Sequence, residues 1–161
     1  MTDAGFDEML ASSAGCFGLH GVGWQRSHIS TDGSRTFCWF KAPDVESMRQ
    51  ALHKTGSSGR AWGGTVHDAP GPDAPPLEAA NVVVERSWPE PVTLPAIQAI
   101  EDDGAWCLQA YDVQFVRTYF ATDQKRMLCL YRAPDAEAVR SAQHKAGMPV
   151  DSVWSFRLRQ P

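Results

Sequence analysis

The sequence has no long apolar run, no excess of basic residues and no cysteine pair of the C-x-x-C type. Its apolar stretches fall well short of a membrane span, and its first residues lack the basic and apolar regions of a secretory signal. We therefore expect a cytoplasmic protein without membrane contact. The net charge of −4 argues against a nucleic acid as partner, because counterion release needs a basic surface.

The four cysteines are too widely spaced to form a zinc knuckle or a redox motif. We expect them to be reduced and to behave as small apolar side chains. The sequence also lacks the G-x-S-x-G, P-loop, H-E-x-x-H and glycine-rich dinucleotide signatures. Catalysis therefore has no support from any of these motifs.

The main feature that the sequence does contain is an internal repeat with an offset of 91 positions. Residues 14–56 align with residues 105–147 without a gap, and 17 of the 43 aligned positions are identical. In both copies a short apolar strand is followed by Ala-Pro-Asp and then by an amphipathic helix that ends at a glycine. Such self-similarity indicates an internal duplication.

The second copy predicts the order strand, helix, strand, strand, helix, strand. Apolar runs of strand length and capping residues at Thr93 and Asp135 define these elements. This order is the split βαβ arrangement of ferredoxin-like folds, in which both helices cover one face of an antiparallel sheet. We expect its strands at residues 81–86, 113–121, 126–132 and 153–158.

The first copy predicts fewer elements of this fold, because it has no opening strand. Its elements are expected to be strands at residues 22–29 and 36–41, a helix at 45–54 and a weak strand at 61–67. We therefore expect an α+β protein of two tandem ferredoxin-like units, whose antiparallel sheets pack together as an intramolecular pseudo-dimer. The expected divisions are repeat 1 at residues 1–67, a proline-rich linker at 68–80 and repeat 2 at 81–161.

Three short motifs in the second copy carry a family resemblance. They are Glu85-Arg86, Cys129-x-Tyr131-x-Ala133-Pro134-x-x-Glu137-Ala138, and His144-x-x-Gly147-x-Pro149. Together they resemble a small bacterial ferredoxin-like family, long catalogued as a domain of unknown function, that includes a nickel-binding member from an actinobacterium. The resemblance covers nearly all of residues 81–158 and, less completely, residues 14–67. It implies a dimer-forming αβ module, with the binding of a divalent metal as an expectation.

Strand alternation groups several polar and aromatic residues of the second copy on one side of its sheet. If Leu128 and Leu130 face the helices, the open side is predicted to carry Glu85, Arg117, Tyr119, Cys129 and Tyr131. Such a group on an apolar floor predicts a small-molecule or metal pocket, to which His28 of the first copy would add a ligand or base. The alternative is a core between the two sheets, in which Glu85 pairs with Arg117.

Each helix after the Ala-Pro-Asp turn carries Glu, Arg and His at positions i, i+3 and i+7, along one side of the helix. Neutral imidazole is a common ligand of transition metals and suits nickel. These columns are therefore candidate ligands, whose partners would come from the other copy or another subunit. The alternative is a solvated helix face. The metal candidates are His144 and Glu137, their counterparts His53 and Glu46, and then Glu85 and Tyr119.

These features favour a small cytoplasmic binding protein for nickel or another divalent transition metal, with a homo-oligomer as a further expectation. Two alternatives stay open. One is a small enzyme that acts on an apolar small molecule in a cleft between the two sheets, with Glu85, Tyr119 or His28 as acid or base. The other is a non-catalytic interaction module. The expected partner is a metal ion or small molecule, and neither nucleic acid nor a membrane is expected.

Overall fold

A computed structural model describes residues 2–161 of the chain. Within these residues the structure contains five α-helices, one short 3-10 helix at Leu77–Ala79 and seven strands. In chain order the helices and strands are α1 (Asp3–Leu19), β1 (Gly23–Ser30), β2 (Thr36–Lys41), α2 (Val45–Lys54), β3 (Gly64–Asp68), β4 (Val82–Ser87), α3 (Leu94–Asp103), α4 (Ala105–Ala110), β5 (Gln114–Ala121), β6 (Arg126–Arg132), α5 (Ala136–Lys145) and β7 (Ser152–Arg159).

The chain forms two compact units. The larger unit is Gly64–Phe156, and the smaller unit combines the residues up to Gly63 with Arg157–Pro161. The expected mixture of helices and antiparallel sheet is confirmed. The division of the sequence into two repeats stays a prediction, because these units describe packing and not the history of the chain.

The larger unit is built on strands in the order β7-β4-β6-β5-β3, with antiparallel neighbours. The edge strand β3 starts three residues later than the sequence predicts and pairs with β5 from Gly64 opposite Ala121 to Asp68 opposite Arg117. The main core of the unit lies between one face of the sheet and the helices. Its members include Val82, Val84, Cys129 and Tyr131 from the strands, Ile97 from α3, and Val139 and Ala142 from α5.

Side-chain caps explain where three of the helices begin. Asp44 accepts a hydrogen bond from the Ser47 N–H at 2.7 Å, and Asp135 accepts one from the Ala138 N–H, also at 2.7 Å. Thr93 caps α3 as its sequence predicts. The helix α4 is an addition to the predicted elements. No helix within residues 2–161 is both long enough and apolar enough to cross a membrane.

The smaller unit pairs β1 with β2 as a hairpin, and both α1 and α2 contribute to its core. Phe17, Val22, Met48 and Ala51 form that core. The terminal segment Arg157–Pro161 completes the unit with arginine contacts. Arg157 donates to Asp3 at 2.8 Å and to the Ser30 carbonyl at 3.3 Å, and Arg159 donates to Asp7.

The β1–β2 and β5–β6 hairpins have the same internal irregularity. The pairing of β1 with β2 shifts between Trp24 and Arg26, and the pairing of β5 with β6 shifts between Phe115 and Arg117, at the same offset as the sequence repeat. Left-handed backbone positions follow the same offset, in the pairs Gly21 and Asp112, Gly33 and Gln124, and Gly56 and Gly147. The aligned segments therefore share local backbone geometry as well as residue identity.

Candidate functional site

Cys129 and Tyr131 lie on the helix-facing side of the sheet, so their predicted placement on the open side is wrong. Both are fully buried, and they pack in the same core as Val139. Thr118 donates to the Cys129 sulfur at 3.2 Å. Alternation correctly groups Cys129 with Tyr131, but it cannot decide which group faces the helices when both contain apolar residues. Leu130, on the opposite parity, is also fully buried.

Glu85, Arg117 and Tyr119 have the other parity from Cys129 and Tyr131. Glu85 accepts a hydrogen bond from the Trp154 indole N–H at 2.5 Å. Arg117 pairs with Asp68 through contacts of 2.5 and 3.0 Å, so the predicted alternative partner Glu85 is replaced by Asp68. Tyr119 is fully buried. These three residues thus belong to a face that Cys129 and Tyr131 do not share.

His28 belongs to the smaller unit and is fully buried in the structure. Its ring stacks on Phe37, with the ring centroids 5.3 Å apart and the planes inclined by 23°. A histidine held flat against an aromatic ring in a closed interior has no opening toward solvent. This placement favours a structural role for His28 over that of an exposed ligand or base.

The predicted columns on α2 and α5 are exposed. His144 and Glu137 both face solvent on α5, where Glu137 accepts hydrogen bonds from Arg140 and, at 3.5 Å, from the Ser141 hydroxyl. On α2, His53 and Glu46 are likewise exposed, and Arg49 lies 3.7 Å from Glu46. Exposed ion pairs of this kind contribute little to stability. Glu137 and Glu46 can therefore leave their arginine partners at little cost in stability.

The donor atoms needed for a closed metal site do not converge. In the described part of the chain, no three His, Cys, Asp or Glu side chains lie close enough together to hold a metal ion. All four cysteines are free thiols. Burial raises the pKa of the Cys129 thiol, which opposes formation of the metal-binding thiolate. Residues 2–161 of one chain thus supply individual donors but not a complete ligand set.

A buried arginine is the polar group that the sequence interpretation missed. Arg86 is only 2% exposed, although it lies on β4 among the valines that face the helices. Its Nη2 atom donates to Gln143 on α5 at 2.5 Å and lies 3.4 Å from the Tyr131 hydroxyl. Its Nε and Nη1 atoms have no hydrogen-bond partner. The sequence signal was present, because Arg86 has the same strand parity as Val82 and Val84.

The charge of Arg86 is partly balanced by Glu101 on α3. Burial acts to lower the pKa of Arg86, but Tyr131, Cys129 and Glu101 together leave it raised, so the guanidinium stays charged. Burial raises the pKa of Glu101, and Arg86 opposes this shift. Burial also raises the pKa of Tyr131. The four groups form a cluster that contains one permanent cation.

A cleft of about 600 Å³ opens beside this cluster. Glu101, Thr118 and Tyr131 are among its lining residues, so the cleft borders the cluster around the buried arginine and Cys129. Its other lining residues are His67, Asp68, Pro70, Leu94, Pro95, Ile97, Gln98, Asp102, Ala105, Leu108, Phe115 and Met127. The volume and the mainly apolar lining are typical of small-molecule sites. The sequence did not reveal the cleft, because it depends on the unpredicted helix α4.

The fold and these features define a small α+β protein with exposed helix histidines and a ligand-sized cleft. Residues 83–155 match the sequence model of a family described as "Nickel responsive protein SCO4226-like". The matched segment contains Arg86, Glu101 and the whole of α5, and it supports the resemblance drawn from the motifs. No curated protein sequence matches the chain.

Proposed function

We propose that the chain is a small cytoplasmic protein that binds nickel or another divalent transition metal through His144. The observation that carries this proposal is the match of residues 83–155 to a family described as nickel responsive. Within that segment His144 is the one histidine, and its imidazole is exposed on α5. Imidazole nitrogen is a suitable donor for nickel, and a carboxylate such as Glu137 would balance the charge.

The proposed site needs donors from a second copy of the chain. Isolated donors on an exposed helix provide too few ligands, since no complete set is present within residues 2–161. Two copies brought together at α5 would double the imidazole and carboxylate donors, which supports a metal-linked homodimer. His53 and Glu46 are secondary candidates outside the matched segment. Glu85 and Tyr119 are weaker candidates, because Trp154 already binds Glu85 and Tyr119 is buried.

Arg140 provides a sharp test, because it competes with a metal for Glu137. If Glu137 is a ligand, Arg140→Ala should raise the nickel affinity by freeing the carboxylate. Arg49→Ala is the matched control, since Arg49 makes the equivalent contact with Glu46 on α2. The same reasoning makes His53→Ala the matched control for His144→Ala.

The experiment is a calorimetric nickel titration of untagged protein, combined with sedimentation to follow the mass. Wild type should bind nickel and dimerise when nickel is bound. His144→Ala should weaken nickel binding at least about tenfold, because even the loss of a group that only orients a metal ligand has an effect of this size. Affinity should fall as the pH is lowered, because protonated imidazole cannot bind metal. Absence of nickel binding, or equal losses in His144→Ala and His53→Ala, would contradict the assignment to α5.

We further propose that the chain arose by duplication of a ferredoxin-like unit. The shared register shifts and left-handed positions of the two hairpins support this origin. The order β7-β4-β6-β5 in the larger unit, with α3 and α5 packed on one face, is compatible with a split βαβ unit.

A further inference from the structure

The cleft beside α3 and α4 is not used by the proposed metal site. Its walls are formed by aliphatic and aromatic side chains, including Leu94, Leu108, Phe115 and Met127. Burying an apolar ligand against such walls is favourable because it removes apolar surface from water. The cleft therefore selects first for an apolar ligand of small-molecule size.

Glu101 gives the cleft a directed polar group. It lies one helical turn after Ile97, which places its side chain on the inner face of α3. In the part of the chain that the structure describes, no protein donor makes a hydrogen bond to its carboxylate. The hydrogen-bonding capacity of this carboxylate is satisfied only if a ligand or solvent donates to it.

The charge of a suitable ligand follows from the balance between Arg86 and Glu101. Arg86 is permanently charged and buried, and two of its nitrogens have no partner. Glu101 is the carboxylate that offsets this charge. A cationic ligand at Glu101 would place a second positive charge beside the buried guanidinium, and an anionic ligand would meet Glu101 and Asp102 on the cleft wall. A neutral hydroxyl can donate to Glu101 and leave the balance unchanged.

We propose that this cleft binds a neutral, largely apolar small molecule with a hydroxyl group that donates a hydrogen bond to Glu101. A two-ring aromatic alcohol represents the class in size and chemistry. The apolar rings would pack against Phe115 and the aliphatic walls, and the hydroxyl would lie beside Glu101. This ligand site is independent of the proposed metal site on α5.

The test uses 1-naphthol as the probe and the full chain with a metal chelator present. Naphthalene is the matched ligand without the hydroxyl, 1-naphthoate is the anion, and 1-naphthylmethylammonium is the cation. Binding is followed by chemical shifts of backbone amides in α3, α4 and β5. We expect 1-naphthol to bind about tenfold more tightly than naphthalene, as a hydrogen bond to a charged acceptor predicts, and both charged ligands to bind more weakly than 1-naphthol.

Variants then test the role of Glu101. Glu101→Gln keeps a hydrogen-bond acceptor but removes its charge, so it should lower the preference for 1-naphthol over naphthalene. Asp102→Asn is the matched control, because it removes the same charge from the neighbouring position and should keep the preference. Ala105→Trp, at an exposed position on the cleft wall, should block both ligands even if Glu101→Gln fails to fold.

Three outcomes would overturn the proposal. The first is equal affinity of folded wild type for 1-naphthol and naphthalene. The second is tighter binding of either charged ligand than of 1-naphthol. The third is shift changes that lie outside the cleft or survive Ala105→Trp. Nickel binding by the same sample bears only on the site at α5, so failure of one proposal is distinguishable from failure of the other.

Discussion

The guanidinium of Arg86 is enclosed by protein and cannot relieve its burial by losing a proton. Gln143 and Tyr131 satisfy one of its nitrogens, and Glu101 offsets its charge. A buried charge is strongly destabilising when its partner is removed but is rarely a net source of stability. The cluster therefore matters more for the character of the cleft than for the stability of the fold.

Glu101→Gln should change how stability depends on pH. Burial raises the pKa of Glu101 above its ordinary value of 4.5, so the folded chain holds this proton more tightly than the unfolded chain does. The resulting stability is fully present below the unfolded pKa and is lost as the pH rises through the folded pKa. The free energy of unfolding of wild type, relative to Glu101→Gln, should therefore fall as the pH rises above the ordinary pKa of Glu101.

Denaturant unfolding of both proteins at several pH values measures the difference in their free energies of unfolding. Titrations of the other groups are common to both proteins and cancel in this difference. A relative stability of wild type that grows with pH would mean that attraction to Arg86 outweighs the burial of Glu101. The direction of the trend thus decides which of the two effects dominates at this residue.

Single residues also show where sequence interpretation reaches its limit. Strand alternation correctly placed Cys129 with Tyr131, and Glu85 with Tyr119. It assigned the wrong face to Cys129 and Tyr131 because both sides of this sheet bury apolar residues. The alternation pattern alone therefore cannot identify the face that the helices cover. Arg86 was missed for a different reason: it shares the strand parity of Val82 and Val84, but a buried arginine on the helix side contradicts the usual expectation for charged residues.

At the scale of elements, caps made the prediction reliable. The strand β2 and the helix α2 match the sequence prediction residue for residue, because Asp44 marks the start of α2 by binding the Ser47 N–H. The helix α4 was not predicted, since its six residues have no side-chain cap and follow α3 directly at Gly104. The error matters because Ala105 and Leu108 of α4 line the cleft.

Gly104→Ala should destabilise the protein by about 1–3 kcal/mol, as overpacking does. A Cβ atom at Gly104 would lie 2.6 Å from the Cβ of Ala146, so α3, α4 or the end of α5 would have to move. Thermal or denaturant unfolding measures the loss.

Gly15→Ala in α1 is the matched control, because a Cβ atom there meets nothing within 4 Å. Alanine is the better helix former, so this variant should gain about 0.5–1 kcal/mol. Equal effects at the two positions would mean that the close approach of Gly104 to Ala146 does not limit packing.

At the scale of the whole molecule, the sequence predicts the α+β class and the repeat, but it does not predict how the units divide. The smaller unit draws its last residues, Arg157–Pro161, from the far end of the chain. Nothing in a local pattern reveals such a long-range contribution. The proline-rich segment 68–80 lies within the larger unit, and its role as a linker stays a prediction.

A fragment of residues 1–63 should therefore fail to fold alone, because it lacks the contacts of Arg157 with Asp3 and Ser30. We expect poorly dispersed amide signals in its NMR spectrum. Joining residues 157–161 to this fragment through a flexible Gly-Ser linker is the control and should restore dispersion. Cooperative melting of the unextended fragment would show that these contacts are dispensable.

The discontinuity of the smaller unit also sets an order on folding during synthesis. Its first 63 residues emerge early, but Arg157 is added 94 residues later, a delay of roughly 5–20 s at typical translation rates. During that interval α1 and the β1–β2 hairpin lack their final contacts, while the larger unit has all of its residues by Phe156. We therefore expect the smaller unit to complete its structure after the larger unit, although most of its residues are synthesised first.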